Sequence, residues 1–211
     1  MQIEVKNLSK EFHHNTVLED ITLDFKSGNI YGIVGGNGSG KTMFLRAICG
    51  LIVPTNGEIL INQKRLHKDI SYLPNLGLLI EKPEFLSYLS GFDNLKLLAE
   101  INDVIDDEKI KEYMEMFELN ADDKKPIRKY SLGMKQKIGI IQAIMEDPQC
   151  LVLDEAFNAL DEKSVDLLRQ ILLKFRNEDK LIIITSHHRE DIQTLCDYTY
   201  EICAGKINRG S

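Results

Sequence analysis

Apolar and polar residues alternate from the first residues of the chain. Ile3 and Val5 are separated by Glu4 and Lys6, and residues 17–25 repeat the same period, so both spans read as half-buried strands. Ile30-Tyr31-Gly32-Ile33-Val34 is a more continuous apolar strand-like run. Pro54-Thr55-Asn56-Gly57 predicts a turn, followed by a strand over residues 58–61, and a further short apolar run covers 70–73. From about Pro83 the period changes. Ile110, Tyr113, Met114 and Phe117 fall at i, i+3, i+4 and i+7, one face of a helix, and Met134, Ile138, Ile141 and Met145 mark a second amphipathic helix. The acidic stretch 103–108 ahead of the first reads as a solvated linker and first turn, where carboxylates suit the helix dipole. Strand character returns at 150–153. A helix follows through Val165, Leu168, Leu172 and Phe175, and 181–184 is apolar throughout, as in a strand buried on both faces. A strand-rich start, a helical middle and an alternating end predict an α/β core with a helical insertion near 83–145.

Composition narrows the class. With 211 residues the chain can form one large domain, or a core with a subdomain. A hydrophobic content of 43% and a charged content of 28% are those of an ordinary globular protein, and a net charge of −7 argues against a general nucleic-acid binder. No apolar run approaches the ~20 residues that span a bilayer, and Met1-Gln2-Ile3-Glu4, with no basic region and no long apolar run after it, predicts no signal peptide. Cys49, Cys150, Cys196 and Cys203 are scattered among apolar neighbours without a C-x-x-C pair, which predicts buried thiols in a reducing cytoplasm.

Chemistry enters with Gly35-Gly36-Asn37-Gly38-Ser39-Gly40-Lys41-Thr42, which reads G-x-x-x-x-G-K-T. An apolar strand leads in, and a helical pattern with Phe44, Leu45 and Ile48 leads out. In that setting the loop's N–H groups and the helix N-terminus cradle phosphate oxygens, the lysine reaches the β/γ-phosphates and the threonine hydroxyl binds Mg²⁺. Leu151-Val152-Leu153-Asp154-Glu155 is an apolar strand ending in two carboxylates. Alone, such a pair reads as a strand end with solvated charges. On a chain with Lys41 and Thr42, Asp154 reads as the Mg²⁺-holding carboxylate and Glu155 as the group that polarises the attacking water.

With these motifs the chain resembles the ATP-binding cassette (ABC) ATPases, the engines of ABC transporters, over nearly all of its 211 residues. Tyr130-Ser131-Leu132-Gly133-Met134-Lys135-Gln136 stands where that family carries its signature loop. Ser131 and Gly133 match the common form; Leu132 and Met134 depart from it. Asn158-Ala159-Leu160-Asp161 matches the D-loop, and His187, in Thr185-Ser186-His187, the switch histidine, with His188 a lesser candidate. Phe12 occupies the aromatic position that stacks on adenine. Where the family has a Mg²⁺-ligating glutamine this chain has Glu81, with Asn75 as the competing assignment. Glu81 and the Tyr-Ser-Leu-Gly-Met-Lys-Gln form resemble the ATPases of lantibiotic and bacitracin exporters.

The resemblance implies an α/β P-loop NTPase fold with a RecA-like core (1–82 and 146–211), an antiparallel β subdomain and a helical subdomain (83–145). It implies ATP and Mg²⁺ as cofactors, with catalysis by Glu155, His187 and Lys41, nucleotide binding by Phe12, Gly35 to Thr42, Ser131, Gly133 and Asp161, and metal binding by Thr42, Asp154 and Glu81. Two copies, or this chain and a related ATPase, would sandwich two ATP molecules head to tail. They would work on separate permease subunits at the inner face of the cell membrane, with Phe85, Leu86, Tyr88 and Leu89 as a docking surface. Two other readings stand beside this one: a soluble ABC-type ATPase acting on ribosome or DNA, and a P-loop kinase, which would need neither signature loop nor switch histidine.

Overall fold

A computed structural model describes residues 1–13, 15–81, 83–186 and 189–209. The chain opens with β1 (Gln2–Phe12), β2 (Asn15–Lys26), β3 (Asn29–Val34), α1 (Lys41–Cys49), β4 (Asn56–Ile61), β5 (Lys64–Arg65) and β6 (Leu76–Leu79). The helical middle is α2 (Gly91–Asn102), α3 (Asp107–Met116), a 3₁₀ turn at Ile127–Lys129 and α4 (Leu132–Ile144). Then come β7 (Cys150–Leu153), α5 (Glu162–Asn177), β8 (Leu181–Thr185), α6 (Arg189–Leu195), β9 (Tyr198–Cys203) and β10 (Lys206–Arg209).

β1, β2, β4 and β5 form an antiparallel sheet in the order β2-β1-β4-β5. The predicted alternation is interrupted once in each of the first two strands. On β1 the inward positions step from Val5 to Leu8, and on β2 from Leu18 to Ile21, three residues instead of two. The extra residues, Asn7 and Asp20, take left-handed backbone (φ 48° and 49°), and the Asn7 amide donates to the Asp20 carboxylate at 2.8 Å. Bulges of this kind re-aim what precedes them. Here the shift buries Leu18 and turns Val17 out of the alternating set, towards the phosphate loop.

The second sheet has six strands in the order β10-β9-β3-β8-β7-β6, parallel except for the edge strand β10. All residues of β7 and β8 are buried. Alternate side chains serve two cores. Leu151, Leu153, Ile182 and Ile184 pack with the α2–α5 side, including Leu95, Ile110, Met114, Phe117 and Ile138. Cys150, Val152, Leu181 and Ile183 pack with α1 (Phe44, Leu45, Ile48) and the antiparallel sheet (Ile3, Val5, Phe25). Each such Leu, Ile or Phe contributes roughly 1.5–3 kcal/mol relative to exposure, so the central strands are the best-anchored part of the molecule.

Two expectations shift. The apolar run at 70–73 is not a strand: Pro74 cannot donate to a ladder, Leu73 is buried without one, and the strand is β6, which begins at Leu76. Among the cysteines, Cys49 and Cys150 are buried, and burial pushes the Cys49 thiol up to about 12 and the Cys150 thiol up as well. Cys196 is only half-buried and Cys203 is exposed, because the next residue along β9 from buried Ile202 faces the other side. Among the described residues, no helix is long and apolar enough to cross a membrane.

Candidate functional site

Strand order brings the motifs together. β8 lies between β3 and β7, so the loop leaving β3, the Asp154-Glu155 pair leaving β7 and Thr185 at the end of β8 are neighbours at the carboxyl ends of three adjacent parallel strands. Ligands of open α/β sheets bind at such ends.

The loop from Gly35 to Thr42 connects β3 to α1. Gly35 has φ 154°, and a Cβ there would lie 2.3 Å from the Ile202 carbonyl oxygen, so no other residue fits without moving β9. Gly40 stands at the N-cap of α1 and supplies no side-chain cap, which leaves first-turn amides available to an anion. The Ser39 hydroxyl is buried and has no hydrogen-bond partner among the described residues. Lys41 is almost completely buried, and its ammonium donates to the carbonyls of Gly35 (2.7 Å) and Gly36 (3.1 Å).

From Thr42 a run of hydrogen bonds crosses the sheet end. The Thr42 hydroxyl donates to Asp154 Oδ2 at 2.7 Å, and the Thr185 hydroxyl donates to Asp154 Oδ1 at 2.6 Å. The Glu155 N–H donates to Thr185 Oγ1 at 2.9 Å. Asp154 and Thr185 are 4% and 0% exposed, so the bond between them is shielded from water, while those of Thr42 and Glu155 are part-buried. Glu155 sits in left-handed backbone, φ 54°, a conformation that costs on the order of 1 kcal/mol for a residue with a Cβ and persists where its surroundings impose it. The surroundings are Thr185 on its N–H and the buried Gln136 amide, which donates to the carbonyls of Ala156 (3.0 Å) and Glu155 (3.4 Å). The Asn158 amide donates to Glu155 Oε2 at 3.3 Å. A cavity of about 280 Å³ opens here, lined by Val17, residues 37–43, Asp154 and Glu155.

The signature residues are held differently. Ser131 caps α4, its hydroxyl accepting the Met134 N–H at 3.2 Å. Gly133 packs so closely that a Cβ would lie 2.7 Å from the Ala159 carbonyl oxygen. Asp161 caps α5 through the Ser164 N–H (2.9 Å) and pairs with the Lys137 ammonium at 2.8 Å. The Lys137 hydrogen bond first, then those from Ser164, hold the Asp161 carboxyl well below the usual carboxylate range. None of Ser131, Gly133 and Asp161 lines the phosphate-loop cavity.

The remaining expected residues fall at its margins. Glu81 follows β6 at the end where Leu79 accepts the Asp154 N–H (2.6 Å), but its carboxylate pairs with Arg46 of α1 at 3.1 Å and is absent from the cavity lining. Asn75 precedes β6 at the opposite end, level with the start of β7, which separates it from Asp154. Phe12 ends β1 half-exposed, with the Lys10 ammonium 4.7 Å from its ring centroid, and Val17 rather than Phe12 lines the cavity. His187 and His188 lie outside the described residues. Thr185, Gln136, Lys137 and Val17 were missed. Thr185 had a signal, a polar residue closing an all-apolar strand; Val17 depends on the bulge at Asp20, and Gln136 and Lys137 on helix packing.

The ABC transporter family profile matches residues 18–158. An uncharacterised ABC transporter ATP-binding protein of Bacillus subtilis (strain 168) is 47% identical over 97% of this chain and 94% of its own length. A bacitracin transport ATP-binding protein of Enterococcus faecalis is 36% identical over 92% of this chain and 64% of its own length. A lantibiotic transport ATP-binding protein of Streptococcus pyogenes is 31% identical over 97% and 88%. Of solved structures, an ATP-binding subunit of an ABC transporter superposes with a TM-score of 0.90 at 26% identity, over 100% of this chain and 90% of that one. A dimeric bacterial ABC transporter cassette shares the fold at 0.84 and 22%, over 98% and 97%.

Proposed function

This chain belongs to the ABC transporter family as an ATP-binding, ATP-hydrolysing subunit, and we propose that it powers export of a peptide antibiotic through separate membrane subunits. The observation that carries the ATPase chemistry is the hydrogen-bonded run Thr42–Asp154–Thr185–Glu155 at the mouth of the phosphate loop. The peptide cargo rests on likeness to the bacitracin and lantibiotic transport proteins.

In this reading the loop amides and Lys41 bind the β- and γ-phosphates, and Lys41 exchanges its loop carbonyls for phosphate oxygens. The buried Ser39 hydroxyl, which has no partner among the described residues, fits an additional acceptor of that kind. Thr42 and Asp154 would hold Mg²⁺, a hard cation that takes oxygen ligands, through their hydroxyl and carboxylate. When bound, the ion offsets charge on the β- and γ-oxygens. Glu81 joins them only by releasing Arg46. Glu155 orients a water and accepts its proton as the oxygen bonds to the γ-phosphorus and the bond to the β-phosphate oxygen breaks; the products are ADP and phosphate. His187 is assigned the γ-phosphate contact and Phe12 the adenine stack on resemblance alone.

Ser131, Gly133 and Asp161 belong in this reading to the ATP of a second copy or a related subunit. That pairing is supported by the dimeric cassette that shares this fold. We assign residues 1–82 and 146–211 to the nucleotide-binding core and 83–145 to a helical part that faces the permease at the membrane's inner surface. Leu86 and Tyr88 are exposed there, whereas Phe85 and Leu89 are partly buried, Phe85 against the core. A separate groove of about 750 Å³ lies between the start of β6 and the ends of α2 and α4, with Leu51, Tyr72 and Val104 exposed beside polar Asn75, Asn102 and Glu146. The test is affinity isolation of the chain from detergent-solubilised native membranes. A polytopic membrane protein in stoichiometric amount is expected; ribosomal or nucleic-acid partners alone would contradict the transport role.

A further inference from the structure

We propose that Thr185 is a positioning residue for hydrolysis, its hydroxyl binding the metal-side carboxylate and the turn that carries the water-side carboxylate into one unit. The inference rests on the roles given above to Asp154 and Glu155.

Three observations carry it. First, both capacities of the hydroxyl are used, and their directions are fixed by chemistry. A backbone N–H only donates, so the 2.9 Å contact makes Thr185 Oγ1 the acceptor from Glu155; the hydroxyl's one proton is then given to Asp154 Oδ1 at 2.6 Å. Second, the rest of β8, Leu181 to Ile184, is apolar and fully buried, and Thr185 is itself 0% exposed. Valine has the same shape as threonine and no hydroxyl to bury, so packing alone gives no reason for threonine at this place. Third, Glu155 is held in left-handed backbone, and its N–H is fixed by this hydroxyl. Thr42 and Thr185 hold opposite oxygens of Asp154. If Thr42 turns to the metal, the Thr185 bond stays in place and keeps the plane of the carboxylate.

A group that sets the angle of a reacting carboxylate affects turnover more than substrate binding. The experiment measures steady-state ATPase kinetics and melting temperature for the full chain and for Thr185→Val, Thr185→Ser and Thr185→Ala, with Glu155→Gln alongside. In Thr185→Val, kcat is expected to fall about ten- to a hundredfold, on the scale of displacing a reacting group, with KM for ATP within about threefold because the phosphate loop is untouched. Thr185→Ser, which keeps the hydroxyl and loses the methyl, is expected to recover most of kcat while melting lower than Thr185→Val. A purely structural role predicts the reverse, with activity following melting temperature. Wild-type kcat in Thr185→Val, or equal loss in folded Thr185→Val and Thr185→Ser, overturns the proposal. If Thr185→Val does not fold, the Ser and Ala variants make the same comparison. Glu155→Gln separates the two levels: if it hydrolyses ATP normally, the site reading itself is wrong. If it is inactive while Thr185→Val is fully active, the role of Thr185 alone is wrong.

Discussion

The two functional loops of this chain satisfy their polar groups in different ways. Around the phosphate loop, Thr42 bonds Asp154 directly, Thr185 links Asp154 to Glu155, and Lys41 and a hydroxyl with no partner among the described residues stand beside them at one cavity. Around the signature loop, Ser131 caps its own helix, Gly133 rests on the backbone of Ala159, and Asp161 is shared between Lys137 and the start of α5. The first region has groups suited to phosphate, a cation and water. The second is a braced surface, and α4 connects it to the first: Gln136, one turn beyond Ser131, holds the turn that bears Glu155. The difference teaches that groups suited to phosphate are gathered at one loop only, and it supports the proposal that the signature loop serves a nucleotide held by a second chain.

The largest expected effect breaks the first region. Lys41→Ala removes the buried ammonium and should abolish both nucleotide binding, read by fluorescent-nucleotide titration, and hydrolysis. Normal turnover in this variant would mean that the site is misplaced. Ser131→Ala comes next and separates the regions. It should leave nucleotide binding to the single chain unchanged and lower kcat about tenfold or more, the scale of losing one electrostatic contact to a transition state. It should also lower stability by about 1 kcal/mol as a helix cap is lost. A kcat unchanged after correction for folding would detach the signature loop from chemistry.

The smallest effect concerns the brace. Because the Asp161 carboxyl is held below its ordinary value, its ionised form stabilises the folded chain above the unfolded-state value near 4; that part is lost as pH falls through and below it. In Lys137→Met the pair is gone, so thermal melts between about pH 6 and pH 3 should fall less steeply than for the wild type. The change is small, since the Asp161 side chain is 54% exposed and screened by solvent. Identical pH slopes would show that the pair adds nothing measurable.

How much of this was legible in the sequence follows from the range of the forces. The phosphate loop, the Asp154-Glu155 strand end and the amphipathic helices are local patterns, and the fully apolar run 181–184 announced a central strand. Strand order is not local: only the fold puts β8 between β3 and β7 and so puts Thr185 between Asp154 and Glu155. The bulges at Asn7 and Asp20 changed which of Val17 and Leu18 points inward, because a single extra residue reverses a period-two pattern. The Arg46–Glu81 pair could not be read from either residue's neighbours. The closing strands β9 and β10 were also unread. They are short, and their faces are only partly buried, which blurs the alternation.

The central claim is that the signature half works on the partner's ATP. Sedimentation velocity on Glu155→Gln, which should bind ATP and not hydrolyse it, tests this most directly. With saturating ATP and Mg²⁺ the variant is expected to sediment as a dimer, returning to monomer with ADP or when Ser131→Arg is added. A Glu155→Gln chain that stays monomeric with ATP, while a titration shows the nucleotide bound, would contradict the account.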